Sequence, residues 1–183
     1  MLAFDFDTSE MKRIADEFDA SEKDLWHAYS RALRRTASTM KTRGRKGLRT
    51  ELGLRNAAEL RKRLQGFRFK RGKAMGEVRM WFGLNDMRVS AFKGRAARTG
   101  AGASFAGQDF DGAFVGRNAK GRQTVMRRVS KSRWPVKEER MSIEDKAQIY
   151  IEDEVFDEIE EVFFMNFRAE VRSRTLYGVG KRD

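Results

Sequence analysis

The sequence predicts an α+β fold: a small, mainly antiparallel β-sheet flanked by long N-terminal and C-terminal helices. Three observations predict it. Apolar residues recur at helical spacing behind a capping serine near the start of the chain. They do so again over the last 40 or so residues. Between these stretches, apolar and charged residues alternate in short runs separated by turn residues, the pattern of half-buried strands. With 183 residues, the chain is read as a single domain over 1–183, long enough for two packed layers around one core.

Each element has a local reason. A short helix is expected within residues 5–19. Ser21 then suits an N-cap, with Asp24 at the third helical position as its reciprocal partner. Behind it Leu25, Tyr29, Ala32, Leu33, Thr36 and Met40 follow i, i+4, i+7, i+8 spacing, so a helix is expected from 22 to about 42. It can continue to Leu52, although Gly44 and Gly47 weaken its end, and Gly53 is the expected stop. A short helix is expected over 56–65. Phe67, Phe69, Val78, Met80 and Phe82 then alternate with charged residues, which predicts a strand pair around the turn RGKAMG.

Residues 94–112 are rich in Gly, Ala and Ser and read as a flexible loop. Two strands follow, 113–117 and 122–129, joined by the turn NAKG. A last extended piece begins at Trp134-Pro135-Val136. Ser142 and Asp145 form an S-x-x-D box that opens the final helix, which meets no Gly or Pro before Gly178. Its apolar stripe includes Ile143, Ala147, Ile151, Ile159, Phe163, Phe167 and Val171. At 1.5 Å per residue, about 35 residues span roughly 50 Å, more than one small core requires.

Charge is the most informative feature of the composition. The formal net charge is +12, and it divides into −5 over residues 1–30, +22 over 31–140 and −5 over 141–183. A basic middle can meet a polyanion such as DNA, or acidic segments of the same chain or a neighbour. The basic residues cluster on the first long helix, at 61–63, and on the second hairpin: Arg117, Lys120, Arg122, Arg127, Arg128, Lys131 and Arg133. The acidic side of the last helix offers Glu152, Asp157 and Glu161. These ten residues are the candidate subunit or DNA contacts. No helix-turn-helix, RRM or finger signature is present, so any DNA contact is expected to be to the backbone.

Several chemistries find little to work with. Cysteine is absent and His27 is the only histidine, which removes thiol nucleophiles and disfavours zinc or a histidine-based triad. Gly100, Gly102 and Gly107 do not have dinucleotide-fingerprint spacing. Asp109 and Asp111 lack the later ligands of a calcium loop. No run of 18 apolar residues exists, so no transmembrane helix is expected, and the acidic, charge-broken N-terminus does not read as a signal or transit peptide. No catalytic residue, cofactor site or metal site is assigned, and the chain is read as a non-enzyme. A metal-dependent nuclease built on the acids at 152–161 is the remote alternative.

Residues 113–143 read AFVGRNAKGRQTVMRRVSKSRWPVKEERMSI. A strand ending in a polar turn, a second strand ending in Arg-Arg, then Arg133-Trp134-Pro135-Val136-Lys137 leading into a helix resembles the minor tail protein Z family. These are the tail-completion proteins of lambda-like phages and prophages. The order of elements along most of the chain is also similar. The resemblance implies a structural protein of the virion that completes the tail at the head–tail junction, assembled in the host cytoplasm. It implies a place within a homo-oligomeric ring, six-fold if tail symmetry carries over, with other tail and neck proteins as partners and no membrane. The alternative from the charge alone is a sequence-nonspecific DNA-binding or packaging-associated protein. Pro135, the only proline, fixes its own φ and restricts Trp134. Trp134, Pro135 and Val136 are thus expected to be a structural motif, with Trp134 and Val136 anchoring the crossing to the last helix.

Overall fold

The computed structural model describes residues 3–4, 6–65, 78–79 and 81–180. The chain is α+β. In order it runs β1 (Ala3–Phe4), α1 (Thr8–Glu17), α2 (Glu22–Glu51), α3 (Ala58–Arg61), β2 (Leu64–Gln65), β3 (Val78–Arg79), β4 (Trp81–Phe82) and β5 (Met87–Arg88). A 3₁₀ turn at Val89–Ala91 leads to β6 (Ala96–Arg98), β7 (Gly102–Phe105), β8 (Gln108–Asp111), β9 (Phe114–Arg117), β10 (Gln123–Arg128), β11 (Val136–Glu138) and β12 (Arg140–Met141). The last part is α4 (Glu144–Tyr150), a π-helical stretch (Ile151–Phe156) and α5 (Ile159–Tyr177). All strand pairings among the described residues are antiparallel.

The chain divides into two compact units, each discontinuous in sequence: a first of Met1–Arg45, Arg63–Phe82 and Ile151–Asp183, and a second of Lys46–Lys62 and Gly83–Tyr150.

The first unit is helical. Ala28, Ala32, Leu33, Ala37 and Met40 of α2 are buried, as are Ile159, Val162, Phe163, Phe167 and Val171 of α5. Each large side chain of this kind contributes on the order of 2 kcal/mol on burial. Phe6 stacks on Phe163 with centroids 3.8 Å apart, and the Tyr29 ring meets Phe163 edge-on at 5.5 Å. Helix α1 is capped by Asp7, whose Oδ1 accepts from Ser9 N at 2.8 Å. The Ser21 cap forms as expected: Asp24 N donates to Ser21 Oγ at 3.2 Å, and Ser21 Oγ donates to Asp24 Oδ2 at 2.7 Å. Strands β2 and β4 pair as a hairpin would across the predicted turn. The turn itself, with Phe67, Phe69 and Met80, lies outside the described residues.

Helix α2 passes both of its internal glycines. At Gly44 a Cβ would make only ordinary van der Waals contact with Val155, at 3.6 Å. One on Gly47 would fall 1.6 Å from the Tyr150 hydroxyl. The helix stops at Gly53 (φ +61°), where Leu54 N donates to Arg49 O at 2.8 Å in the six-to-one closure of a Schellman turn. The helix expected over 56–65 shrinks to the single turn of α3.

Two further expectations are overturned. Residues 94–112 do not form a flexible loop; they hold the three-stranded meander β6–β7–β8. Ala96, Ala103, Phe105 and Phe110 are buried, so two phenylalanines and two alanines supply the apolar face. Small residues let the strands approach closely: the Phe110 carbonyl stands 2.3 Å from where a Cβ on Gly102 would be. The final helix is also not continuous. Its buried residues Ile151, Val155 and Ile159 are spaced by four, and a π stretch holds more residues per turn than an α-helix, keeping such a series on one side. Its first turn is held differently from an S-x-x-D box, because the Ser142 hydroxyl accepts from Glu144 N at 3.5 Å.

Candidate interaction surface

The basic residues singled out from the sequence converge on one sheet of the second unit, β9–β10–β11. The β9–β10 turn is built by Asn118. Its Oδ1 accepts from Lys120 N at 3.0 Å and Arg122 N at 3.1 Å, and its own N–H donates to Arg122 O at 2.9 Å. Gly121 supplies φ +74°. This arrangement holds Arg117, Lys120 and Arg122 together at one end of the hairpin, all exposed. Arg117 Nη1 donates to Gly121 O at 2.8 Å, which fixes that side chain over the turn.

The middle of β10 is the anchor. Thr124 and Val125 are fully buried. Thr124 Oγ1 donates to Glu138 Oε1 at 2.8 Å, and Ser90 N donates to the same oxygen at 2.7 Å, so one local carboxylate is engaged internally. The other, Glu139, takes the Arg127 guanidinium. In the β10–β11 register Arg127 stands opposite Lys137 and Arg128 opposite Val136. Directly opposed like charges are destabilising. Glu139 offsets Arg127, and Lys137 is left exposed with no ion pair among the described residues. Lys137 was not among the residues picked from the sequence, where it sits beside two glutamates; only the strand register places it next to Arg127.

At the far end of β10 the chain leaves the sheet through residues 129–135. Arg128 stacks over Phe114 at 5.6 Å from the ring centroid, and its Nη1 donates to Arg133 O at 3.0 Å. Lys131 and Arg133 are exposed on this loop. Trp134 is 66% exposed and Val129 50% exposed. The expected anchoring role of Trp134 is therefore corrected: its ring faces solvent. Pro135, joined to it by a cis peptide bond, is exposed too. Val136, half-buried in β11, keeps a packing role. The hairpin end and the loop end are separated by the length of β10, about 17 Å at 3.3 Å per residue.

The acidic candidates belong to the first unit. Glu152 lies in the π stretch, Asp157 in the turn after it and Glu161 in the first turn of α5, all exposed. Their neighbours meet in-chain partners that the sequence reading did not single out. Glu158 pairs with Arg43 at 2.5 Å, Glu170 with Arg35 at 2.8 Å and Arg31 at 3.9 Å, and Glu17 with Arg168. Helical spacing marks these residues as polar but does not say which helix faces them.

Charge is divided unevenly between the units. The second contains nineteen of the Lys and Arg residues against nine Asp and Glu; the first contains twenty against eighteen. Of the net +12, then, +10 sits on the second unit. His27 is exposed and meets the Trp26 ring edge-on at 5.5 Å. Among the described residues no group of three or more His, Cys, Asp or Glu side chains is placed to hold a metal ion, and no helix is long and apolar enough to cross a membrane. No family model, curated protein or solved structure matches the chain.

Proposed function

We propose that this chain is a non-enzymatic assembly protein of a tailed phage that completes the tail at the head–tail junction. The observation that carries the reading is the exposed, arginine-rich β9–β10–β11 sheet, which coincides with the stretch whose sequence resembles the tail-completion proteins. Its local carboxylates are engaged internally, so its charge is directed outward. The exposed acids Asp157 and Glu161 give every copy an opposite surface as well. Head-to-tail contact between such surfaces closes into a ring when the rotation permits. Exposed ion pairs contribute only about 0–1 kcal/mol each, so they select partner and register while apolar burial supplies affinity. A ring of six, with other tail and neck proteins as neighbours, follows from the resemblance.

The deciding experiment is removal of the coding sequence from its phage or prophage, followed by electron microscopy of the particles. The expected result is filled heads and separate tails that do not join, with joining restored by the added protein. Intact infectious virions lacking the chain would sink the reading. Solution mass at low and high salt tests the ring. An oligomer insensitive both to salt and to charge reversal at Asp157 and Glu161 would remove the electrostatic contacts from the proposal.

A further inference from the structure

We infer that the β9–β10–β11 sheet binds the phosphate backbone of double-stranded DNA without regard to sequence, with Trp134 as its one apolar contact. The inference stands on the second unit alone and goes beyond the assembly reading; either can fail without the other.

The first observation is uncompensated charge. Among the described residues, Arg117, Lys120 and Arg122 at the hairpin end, and Arg128, Lys131 and Arg133 at the loop end, make no ion pair, and neither does Lys137. Both carboxylates of β11 and its exit are engaged, Glu138 by Thr124 and Ser90 and Glu139 by Arg127.

The second observation is geometry. The two basic clusters lie at opposite ends of a buried strand centre, about 17 Å apart. That equals roughly five base-pair steps at 3.4 Å per step along one DNA strand. Four of the six groups in the two clusters are arginines, whose planar fork suits phosphate oxygens. Arg117 and Arg128 are already oriented, the first by the Gly121 carbonyl and the second by Phe114 and the Arg133 carbonyl.

The same features disfavour other occupants. An acidic protein partner needs an apolar centre within an interface of about 1,200 Å² or more. Here Val129 and Trp134 are the strongly exposed apolar groups, and Phe114 lies under Arg128. Single-stranded nucleic acid is gripped by successive bases stacking on several aromatic rings, and this face offers one. Nothing on the sheet resembles a recognition helix, so base sequence is not read.

The test is fluorescence anisotropy of the purified full chain with two labelled 20-base-pair duplexes of unrelated sequence, between 50 and 200 mM salt. Both duplexes are expected to bind equally, with a log–log salt slope of roughly −4.5 to −6.3, the value for five to seven neutralised phosphates. Arg122→Ala, Lys131→Ala and Arg133→Ala are each expected to reduce the slope by about 0.9. Trp134→Ala is expected to weaken binding about tenfold with the slope unchanged, because an apolar contact releases no counterion. These side chains are exposed and unpaired, so the variants should keep the parent far-UV spectrum and melting temperature. Poly-glutamate and a single-stranded 20-mer serve as competitors. Three results would overturn the inference: no duplex binding at 50 mM salt, a slope unmoved by the three substitutions, or a preference for either competitor over the duplex.

Discussion

Asn166 of α5 donates a hydrogen bond from Nδ2 to Thr36 Oγ1 of α2 across 3.0 Å, and both side chains are buried. A buried polar pair costs little while whole, but a buried donor left alone costs about 1–3 kcal/mol. Thr36→Val should therefore destabilise the chain by about that amount. Asn166→Leu should cost less, because the Thr36 hydroxyl can turn to a carbonyl one helical turn back. The double variant should be closer to wild type than the sum of the two. Urea midpoints of the four proteins provide the check; strict additivity would show that the two side chains act independently.

Glu170 and Glu158 provide a second contrast on the same pair of helices. The Glu170 side chain is 9% exposed and shared by Arg35 and Arg31, whereas Glu158 is half-exposed and pairs with Arg43. Solvent screens the second pair far more than the first. Glu170→Gln is expected to lower stability by about 1–2 kcal/mol, and Glu158→Gln by less than about 0.5 kcal/mol. Equal effects would mean that burial of the carboxylate contributes nothing to the pair.

The meander β6–β7–β8 can be tested with two glycines two residues apart. Gly102→Ala would drive a methyl group into the Phe110 carbonyl, so a loss of about 1–3 kcal/mol is expected. Gly100 has nothing within 4 Å of the same added atom. Gly100→Ala should be neutral or stabilise by up to about 1 kcal/mol, through the unfolded chain. The amides of β7, flanked by β6 and β8, should exchange slowly with deuterium. Rapid exchange throughout 96–111 would contradict the sheet.

What the sequence revealed, and what it concealed, follows from the range of each interaction. The Ser21–Asp24 cap, the stop at Gly53 and the strands on either side of Asn118 were legible, because each depends on residues within a few positions of one another. The meander was not, because its strands are three or four residues long and its alanines and glycines carry little alternation. Tertiary packing of Phe105 and Phe110 decides it. The break before α5 was concealed because Ile151, Val155 and Ile159 fit an ordinary α-helical stripe equally well. Within the candidate surface, the clustering of Arg117 to Arg133 was visible in one dimension. The engagement of Glu138 and Glu139, which leaves that charge uncompensated, was not.

Asp7 provides a pH handle. Its carboxylate accepts from Ser9 at the start of α1, and this holds its pKa below the ordinary aspartate value. A depressed folded-state pKa adds stability above the unfolded value and loses it as pH falls through the folded one. Helix α1 should therefore loosen below about pH 4. Asp7→Asn keeps an acceptor and should flatten that dependence; Asp7→Ala should weaken the helix at every pH. Side-chain carboxyl chemical shifts followed by NMR report the titration directly.

The interleaving of the two units has a consequence during synthesis. Everything the second unit needs has been synthesised once Tyr150 has been added. The first unit, begun at the N-terminus, waits for residues from Ile151 onward, because α5 supplies the partners of Phe6, Tyr29 and Thr36. Translation proceeds at about 5–20 residues per second. The apolar sides of α1 and α2 therefore stay uncovered until α5 has followed the β-rich middle of the chain out of the ribosome. The nascent polypeptide is most open to chaperone capture, or to pairing with another nascent copy, during that interval, and a truncation before Ile151 would make the exposure permanent.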